Sequence, residues 1–97
     1  MDLAELKASV TGASPPPGLP ALVRALWHDA AGNWETAHEI AQEEGGRAGA
    51  WVHAYLHRKE GDLSNASYWY RLAKRSAPEA SLDAEWDEIA SELLAEE

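Results

Sequence analysis

A Gly61-Asp62 pair lies between two aromatic-rich segments and strongly limits how this chain can fold. Glycine commonly provides the left-handed residue that ends a helix, and aspartate is a favoured N-cap of the next helix. Pro78 then prevents the second helix from continuing. These signals predict a hairpin of two helices over residues 48–60 and 63–76, with aromatic side chains spaced to pack between them. The aromatic residues are Trp51, Tyr55, Tyr68, Trp69 and Tyr70.

The rest of the sequence contains the same kinds of helix start and stop signals, and no segment alternates as a β-strand would. Consecutive prolines exclude a helix interior, so residues 12–20 are expected to form a stiff, extended linker. The predicted fold class is therefore all-α, in a single helical domain. The further predicted helices cover residues 2–10, 20–31 and 34–44, and a last helix begins with Ser81 or Asp83 as its cap and reaches Leu94.

A shift of 29 residues along the sequence places Gly32 on Gly61 and Asn33 on Asp62. Matched helix ends at a fixed offset are typical of stacked helical repeats, because one hairpin alone cannot bury its apolar face. We therefore expect two stacked helix-turn-helix hairpins with a short helix at either end. The expected parts are an N-terminal helix and proline-rich arm (1–19), hairpin 1 (20–46), hairpin 2 (47–78) and an acidic capping helix (79–97).

The second hairpin also resembles a tetratricopeptide repeat. That family's spacing is followed by Gly61, Ala66, Tyr70, Ala73 and Pro78. The sequence departs upstream, where His53-Ala54 and His57 stand in place of the family's Leu-Gly pair and Tyr. The first hairpin matches well only at Gly32 and Ala37, and the offset is shorter than the usual period of about 34 residues. The resemblance implies a helical repeat whose first helices line a concave binding surface.

A second resemblance is to a small bacterial family whose members have no assigned activity. It is carried by the segment LWHDAAGNWETAHEIAQ, which starts at Leu26, and by WVHAYLHRKEGDLSNASYWY, which starts at Trp51. This likeness implies no activity for the chain.

The formal net charge of −9 is concentrated at one end of the 97 residues. Residues 79–97 contain eight acids and no base, whereas the preceding part contains nine acids and eight bases. Such a tail would repel phosphates, so nucleic acid is not an expected partner. The apolar stripe of the last helix, which includes Trp86, Ile89 and Leu93, is expected to cap the open end of the stack. Its acids would then face bases of the second hairpin, namely Arg71, Lys74 and Arg75.

Composition excludes several further classes. The chain has no cysteine, which rules out disulfides, thiol catalysis and thiolate metal sites. The acidic start Met1-Asp2-Leu3-Ala4-Glu5 lacks the character of a signal peptide, and no stretch is apolar enough to span a bilayer. We expect a cytoplasmic protein with no cofactor and no membrane partner.

A tetratricopeptide-like stack would place an aromatic and basic groove on its concave face. An apolar floor and a basic rim would suit an acidic or C-terminal peptide. The alternative is that these side chains form the core or lie under the chain's own terminal helices. The residues of the predicted groove are Leu22, Leu26, Trp51, Tyr55, Arg58, Lys59 and Trp69. The predicted function is a non-enzymatic interaction or scaffold module, dimeric because a second copy could cover exposed tryptophan surface.

The histidines support a competing interpretation. His53 and His57 share a helical face at a spacing found in zinc sites, although the glutamate of a metalloprotease motif is missing. A catalytic zinc needs a third protein ligand, for which His28, His38 or a carboxylate such as Asp29 is available. The alternative function is a small metal-binding protein or enzyme centred on His28, His53 and His57. Otherwise these histidines are hydrogen-bonded rings inside a helical stack.

Overall fold

The computed structural model describes residues 1–96, and over this range the chain forms six α-helices and no β-strand. The predicted all-α class is therefore confirmed. None of these helices combines the length and the apolar character needed to cross a bilayer. The helices are α1 (Leu3–Ser9), α2 (Ala21–Ala30), α3 (Trp34–Glu44), α4 (Gly46–Glu60), α5 (Leu63–Leu72) and α6 (Leu82–Ala95).

Side-chain caps fix the starts of three helices. In α1, Asp2 accepts a hydrogen bond from the Glu5 backbone N–H at 2.8 Å, and the Glu5 carboxylate accepts one from the Asp2 backbone N–H at 3.1 Å. Asp62 accepts a backbone N–H of α5 at 3.3 Å, and Ser81 accepts a backbone N–H of α6 at 3.1 Å. Of the two caps considered for the last helix, Ser81 is the one used, and Asp83 lies within the first turn.

Three helices end with the same backbone turn, in which one residue adopts a positive φ angle. The φ angles are 92° at Gly32, 89° at Gly61 and 59° at Lys74. In each case the next residue donates its N–H to a carbonyl of the last helical turn at 2.8–3.0 Å. Lys74 explains why α5 ends at Leu72, four residues before the predicted end at residue 76. A residue with a Cβ atom is disfavoured in this conformation by roughly 1–2 kcal/mol.

Substitutions at two of these turns should change stability in opposite directions. Lys74→Gly relieves the left-handed strain and should raise the free energy of unfolding by roughly 0.5–1 kcal/mol. Gly61→Ala should lower it by about 1 kcal/mol, and the cause would be backbone conformation alone. A Cβ atom at Gly61 would meet no other atom within 4 Å. Urea unfolding measures both changes, and a shift of the same sign in the two variants would contradict the explanation.

The helices pack in chain order until the last one folds back. α2 lies against α3, α3 against α4, and α4 against α5. α6 then packs on both α2 and α4, and α1 packs on α6. α4 is the central helix, because every residue from Gly49 to His57 is buried. The other large core side chains are Leu6, Val23, Leu26, Trp27, Tyr70, Trp86 and Ile89.

α6 does not lie where the predicted end cap would place it. Its principal contacts are with α2 and α4. Trp86 and Ile89 are buried there, and Trp86 donates its indole N–H to the Leu26 carbonyl oxygen at 3.1 Å. The groove between two helices covers the apolar stripe of α6 on both sides, which a single helix at the end of the stack could not do.

Candidate functional site

The central residues of the predicted groove lie together on the side of α2 and α4, and α6 covers them. Leu26 is 0% exposed, Tyr55 3% and Trp51 4%. The chain's own last helix therefore occupies the predicted groove. Burial under a terminal helix is the alternative that the sequence also allowed.

The other residues of the predicted groove are distributed around this face. Leu22 and Arg58 are half-buried, and Lys59 is exposed. Trp69 does not belong to the face, because it lies on α5 and stacks on His53 with a centroid separation of 3.8 Å.

Glu85 of α6 places a buried carboxylate among polar groups of α4 and α5. It is only 1% exposed. Its Oε1 accepts a hydrogen bond from Arg58 Nη1 at 2.8 Å, and its Oε2 accepts the Trp51 indole N–H at 3.2 Å. The Tyr70 hydroxyl lies between the two oxygens, 2.6 Å from Oε2 and 2.8 Å from Oε1. Arg58 also donates through Nη2 to the carbonyl oxygen of Ala80, just before α6. Three donor side chains thus converge on one carboxylate.

Asp29 forms a second buried carboxylate site on the same face. It lies near the end of α2 and is 3% exposed. Its Oδ2 accepts a hydrogen bond from the Tyr55 hydroxyl at 3.0 Å, and its Oδ1 pairs with the Lys59 ammonium group at 2.9 Å. Tyr55 and Lys59, two residues of the predicted groove, therefore have their polar groups bonded to Asp29 of the same chain.

Both buried tyrosines remain hydrogen-bond donors. Burial, followed by the negative charge of Asp29, raises the pKa of Tyr55 well above its usual value. Burial, followed by the hydrogen bond to Glu85, does the same to the pKa of Tyr70. Each phenol keeps its proton at neutral pH and donates a hydrogen bond to the carboxylate beside it.

Of the three bases predicted to face the acids of the last helix, one forms an ion pair with α6. The guanidinium carbon of Arg75 lies 3.4 Å from the centroid of the Trp51 ring, a cation–π contact. Its Nη2 also pairs with Glu92 at 2.9 Å. Among the bases predicted to face the acidic tail, Arg71 and Lys74 form no ion pair with residues 1–96. The expectation holds for Arg75 alone, because α6 lies against α2 and α4 and not along α5.

A cleft of about 410 Å³ remains where α6 leaves this face uncovered. Its border includes the bases Lys7 and Lys59 and the acids Asp29, Asp83 and Asp87. Lys7 pairs with Asp87 at 2.8 Å, and Lys59 pairs with Asp29 at 2.9 Å. Both positive charges already have partners, so the cleft does not provide the basic rim that the sequence predicted.

Replacing Glu85 should destabilise the protein far more than replacing an exposed acid of the same helix. In Glu85→Ala the half-buried guanidinium of Arg58 and two buried donors lose their acceptor, so we expect a loss of about 2–4 kcal/mol. Glu88→Ala, at an exposed position of α6, should change stability by less than about 0.5 kcal/mol. Urea unfolding followed by tryptophan emission compares the two, and equal losses would show that Glu85 does not hold α6.

A separate cluster of aromatic and imidazole rings lies where α4 meets α3 and α5. His38 of α3 lies beside His53 and His57 of α4, with one ligand nitrogen of each within 4.8 Å of the others. The His53 ring centroid is 4.4 Å from that of His38 and 4.8 Å from that of His57. Trp34 stacks on His38 at 4.9 Å and Trp69 on His53 at 3.8 Å. The three imidazoles therefore form one compact group between two indoles.

A carboxylate supports one member of this histidine cluster. Nδ1 of His57 lies 2.9 Å from Oε1 of Glu60, which follows it three residues later on α4. In the neutral tautomer in which Nδ1–H donates to this carboxylate, Nε2 carries the free lone pair. This is the arrangement that commonly orients a histidine as a metal ligand.

His28 is not a member of the cluster, so the predicted set of His28, His53 and His57 is corrected. The structure brings His38 to the other two because α3 packs directly on α4. His28, on α2, instead packs edge-on against Trp27 with a centroid separation of 5.2 Å. Its Nδ1 is buried without a hydrogen-bond partner among the described residues.

The surroundings of His38 and His53 favour uncharged imidazoles. Burial, followed by the positive charges of His38 and His57, lowers the pKa of His53 from 6.5 to about 4. Burial and the charge of His57 also lower the pKa of His38, against the opposing effect of Glu60 and Glu39. Neutral rings at pH 7 each retain one nitrogen lone pair.

The pKa of His53 should make stability depend on pH. Because its pKa is about 4 in the folded chain and about 6.5 in an unfolded one, the unfolded state binds more protons between these values. The free energy of unfolding should thus fall as the pH decreases through this window. The expected contribution is roughly 3 kcal/mol by pH 4, at about 1.4 kcal/mol per pKa unit.

Chemical denaturation at several pH values between 4 and 7 measures this dependence, and His53→Gln provides the comparison. Carboxylates also affect stability in acid. The informative quantity is therefore the difference between the wild-type chain and His53→Gln in the slope of the free energy of unfolding against pH. The variant should show a clearly shallower slope. Identical slopes would contradict the assignment to His53.

The two buried carboxylates are the site residues that sequence reasoning missed. The sequence-based interpretation treats Glu85 as one acid of the tail and Asp29 only as a candidate metal ligand. A signal was present for Glu85, because it precedes Ile89 by four residues and so falls on the apolar stripe of α6. An acid within an apolar stripe indicates that a base or a hydrogen-bond donor on the facing helices contacts it.

Comparison of the chain with protein-family models, with curated proteins and with solved structures finds no match.

Proposed function

We propose that this chain is a non-enzymatic interaction module that binds an acidic amphipathic helix on the face formed by α2 and α4. The observation that carries the proposal is that α6, itself an acidic amphipathic helix, occupies this face through the buried carboxylate of Glu85. A tetratricopeptide-like arrangement would account for it. The packing of α2 on α3 and of α4 on α5 supports that arrangement, with α2 and α4 as the first helices of two pairs.

The chemistry of the face suits a helix that carries a carboxylate beside apolar side chains. Arg58, Tyr70 and Trp51 donate to a single acceptor, and charge-assisted hydrogen bonds are stronger than neutral ones. In α6 the acceptor is Glu85, and Ile89 lies one turn further along the same stripe. We infer that a partner helix would present the same pair, an acid followed four residues later by an aliphatic residue.

α6 would compete with such a partner. Residues 73–81, which connect α5 to α6, contain no helix, so α6 can leave the face without unwinding α5. The affinity measured for a partner would be the intrinsic affinity multiplied by the fraction of molecules in which the face is free. α6 would therefore act as a built-in ligand that sets a threshold for binding.

The proposal concerns one copy of the chain. Trp27, Trp51 and Trp86 are buried within the chain itself, whereas Trp34 and Trp69 are half-buried. The dimer expected to cover tryptophan surface stays a prediction. The competing function, a metal-binding protein or enzyme centred on His28, His53 and His57, would need His28 in a cluster from which it is absent.

A peptide of residues 81–96 tests this competition. It should bind weakly to the wild-type chain and more tightly to the Ile89→Ala chain, whose own α6 is held less firmly. Loss of a buried aliphatic side chain of this kind costs about 2–5 kcal/mol, which sets the upper limit of the gain in peptide affinity. Fluorescence anisotropy of the labelled peptide measures both affinities, and circular dichroism checks that the variant remains helical.

The matched control is the same peptide with Glu85→Lys, which should bind to neither chain. Equal binding of the two peptides would show that the carboxylate is not recognised. Tighter binding to the wild-type chain than to Ile89→Ala would show that α6 and the peptide do not share a site.

A further inference from the structure

We propose that His38, His53 and His57 form a binding site for a divalent late transition-metal ion, with Zn²⁺ as the reference ion. The site lies between α3, α4 and α5, away from the face that α6 covers, and it does not depend on the interaction proposed there. Three imidazole ligands would leave one coordination position for water or another small ligand, as in zinc sites of the catalytic type.

The geometry requires only a small contraction of the cluster. One nitrogen from each histidine lies within 4.8 Å of the others. Zinc binds imidazole nitrogens at about 2.0–2.1 Å, which places tetrahedral ligands about 3.3 Å apart. Rotation of the rings can supply the remaining 1–2 Å or so, and His38 is half-buried at the margin of the cluster, where such a rotation is least restricted.

The nitrogens needed for binding are free of other partners. Among the described residues, the one sealed side-chain nitrogen without a hydrogen bond is Nδ1 of His28, outside the cluster. The ring nitrogens of His38 and His53 form no hydrogen bond within residues 1–96, yet they are not among the sealed atoms without a partner. They are therefore exposed enough for solvent or an ion to reach them. His57 uses Nδ1 for Glu60 and keeps Nε2 available.

Ring packing alone explains the cluster less completely. The stacking of His53 on Trp69 and of His38 on Trp34 would be available to any flat ring, and phenylalanine would carry no polar nitrogens into the site. The carboxylate of Glu60 behind His57 is a further feature that packing does not require. It is the usual second partner of a histidine that binds a metal.

Titration of Zn²⁺ into the full chain, prepared without a polyhistidine tag and treated with a chelator beforehand, tests the proposal. Calorimetry should show one ion per chain, and the emission of Trp34 and Trp69 should change as their histidine neighbours rotate. Mg²⁺, which prefers oxygen ligands, should give no heat and no emission change. The absence of stoichiometric Zn²⁺ binding by the wild-type chain would overturn the proposal, as would equal binding of Mg²⁺.

Variants of two histidines separate this site from other histidine chemistry in the chain. His38→Gln removes a ligand and should weaken Zn²⁺ binding by more than about tenfold. His28→Gln is the matched control and should leave the affinity unchanged. Equal effects of the two substitutions would contradict the assignment of the ligands.

Glu60→Gln provides a second test that does not remove a ligand. The loss of such a supporting carboxylate should weaken binding by about 10- to 100-fold. His57, Glu60 and Asp62 also form a possible ligand group at the end of α4. Asp62→Asn keeps a residue able to cap α5 and should leave Zn²⁺ affinity unchanged, whereas a loss of affinity in this variant would place the ion at that group instead.

Discussion

The ion pair between the half-buried Arg58 and the buried Glu85 is the interaction on which the position of the last helix depends. Removing two charges from water is costly, and their attraction repays the cost only when further hydrogen bonds satisfy both groups. Here Tyr70 and Trp51 supply those bonds to the carboxylate. The four groups can meet at only one depth and rotation of α6, so the pair determines where the helix sits. The exposed ion pairs at its edges contribute only about 0–1 kcal/mol each.

The sequence predicted the helices well because their ends are decided by local chemistry. Gly61 and Ser81 act on backbone groups within a few residues of themselves, so the pattern alone reveals them. Lys74 shows the limit, since nothing in its residue type indicates a left-handed conformation. The burial of Glu85 was beyond the sequence for another reason. A buried acid is tolerated only because partners arrive from other helices, and the spacing within α6 does not specify which helices those are.

The histidine cluster shows the same division. The four-residue spacing of His53 and His57 is enough to place both on one face of α4. The third member depends on which helix packs against that face. From the sequence, His28, His38 and Asp29 were all candidates for this third position. Because α3 is the direct neighbour, His38 joins the pair and His28 does not. A pattern within one helix can therefore predict a shared face, whereas a site built from two helices needs their packing.

Both candidate sites use α4, on different sides of the same helix. Trp51, Tyr55 and Arg58 are spaced for the side that meets α6 and Asp29, while His53 and His57 occupy the side that meets α3 and α5. A helix buried from Gly49 to His57 moves as one body, because its neighbours are close-packed around it. A rotation of α4 as a whole, unlike rotation of the imidazole rings alone, would therefore also displace the donors of Glu85. By linkage, the change that a bound ion causes in the free energy of α6 docking must equal the change that α6 docking causes in the free energy of ion binding.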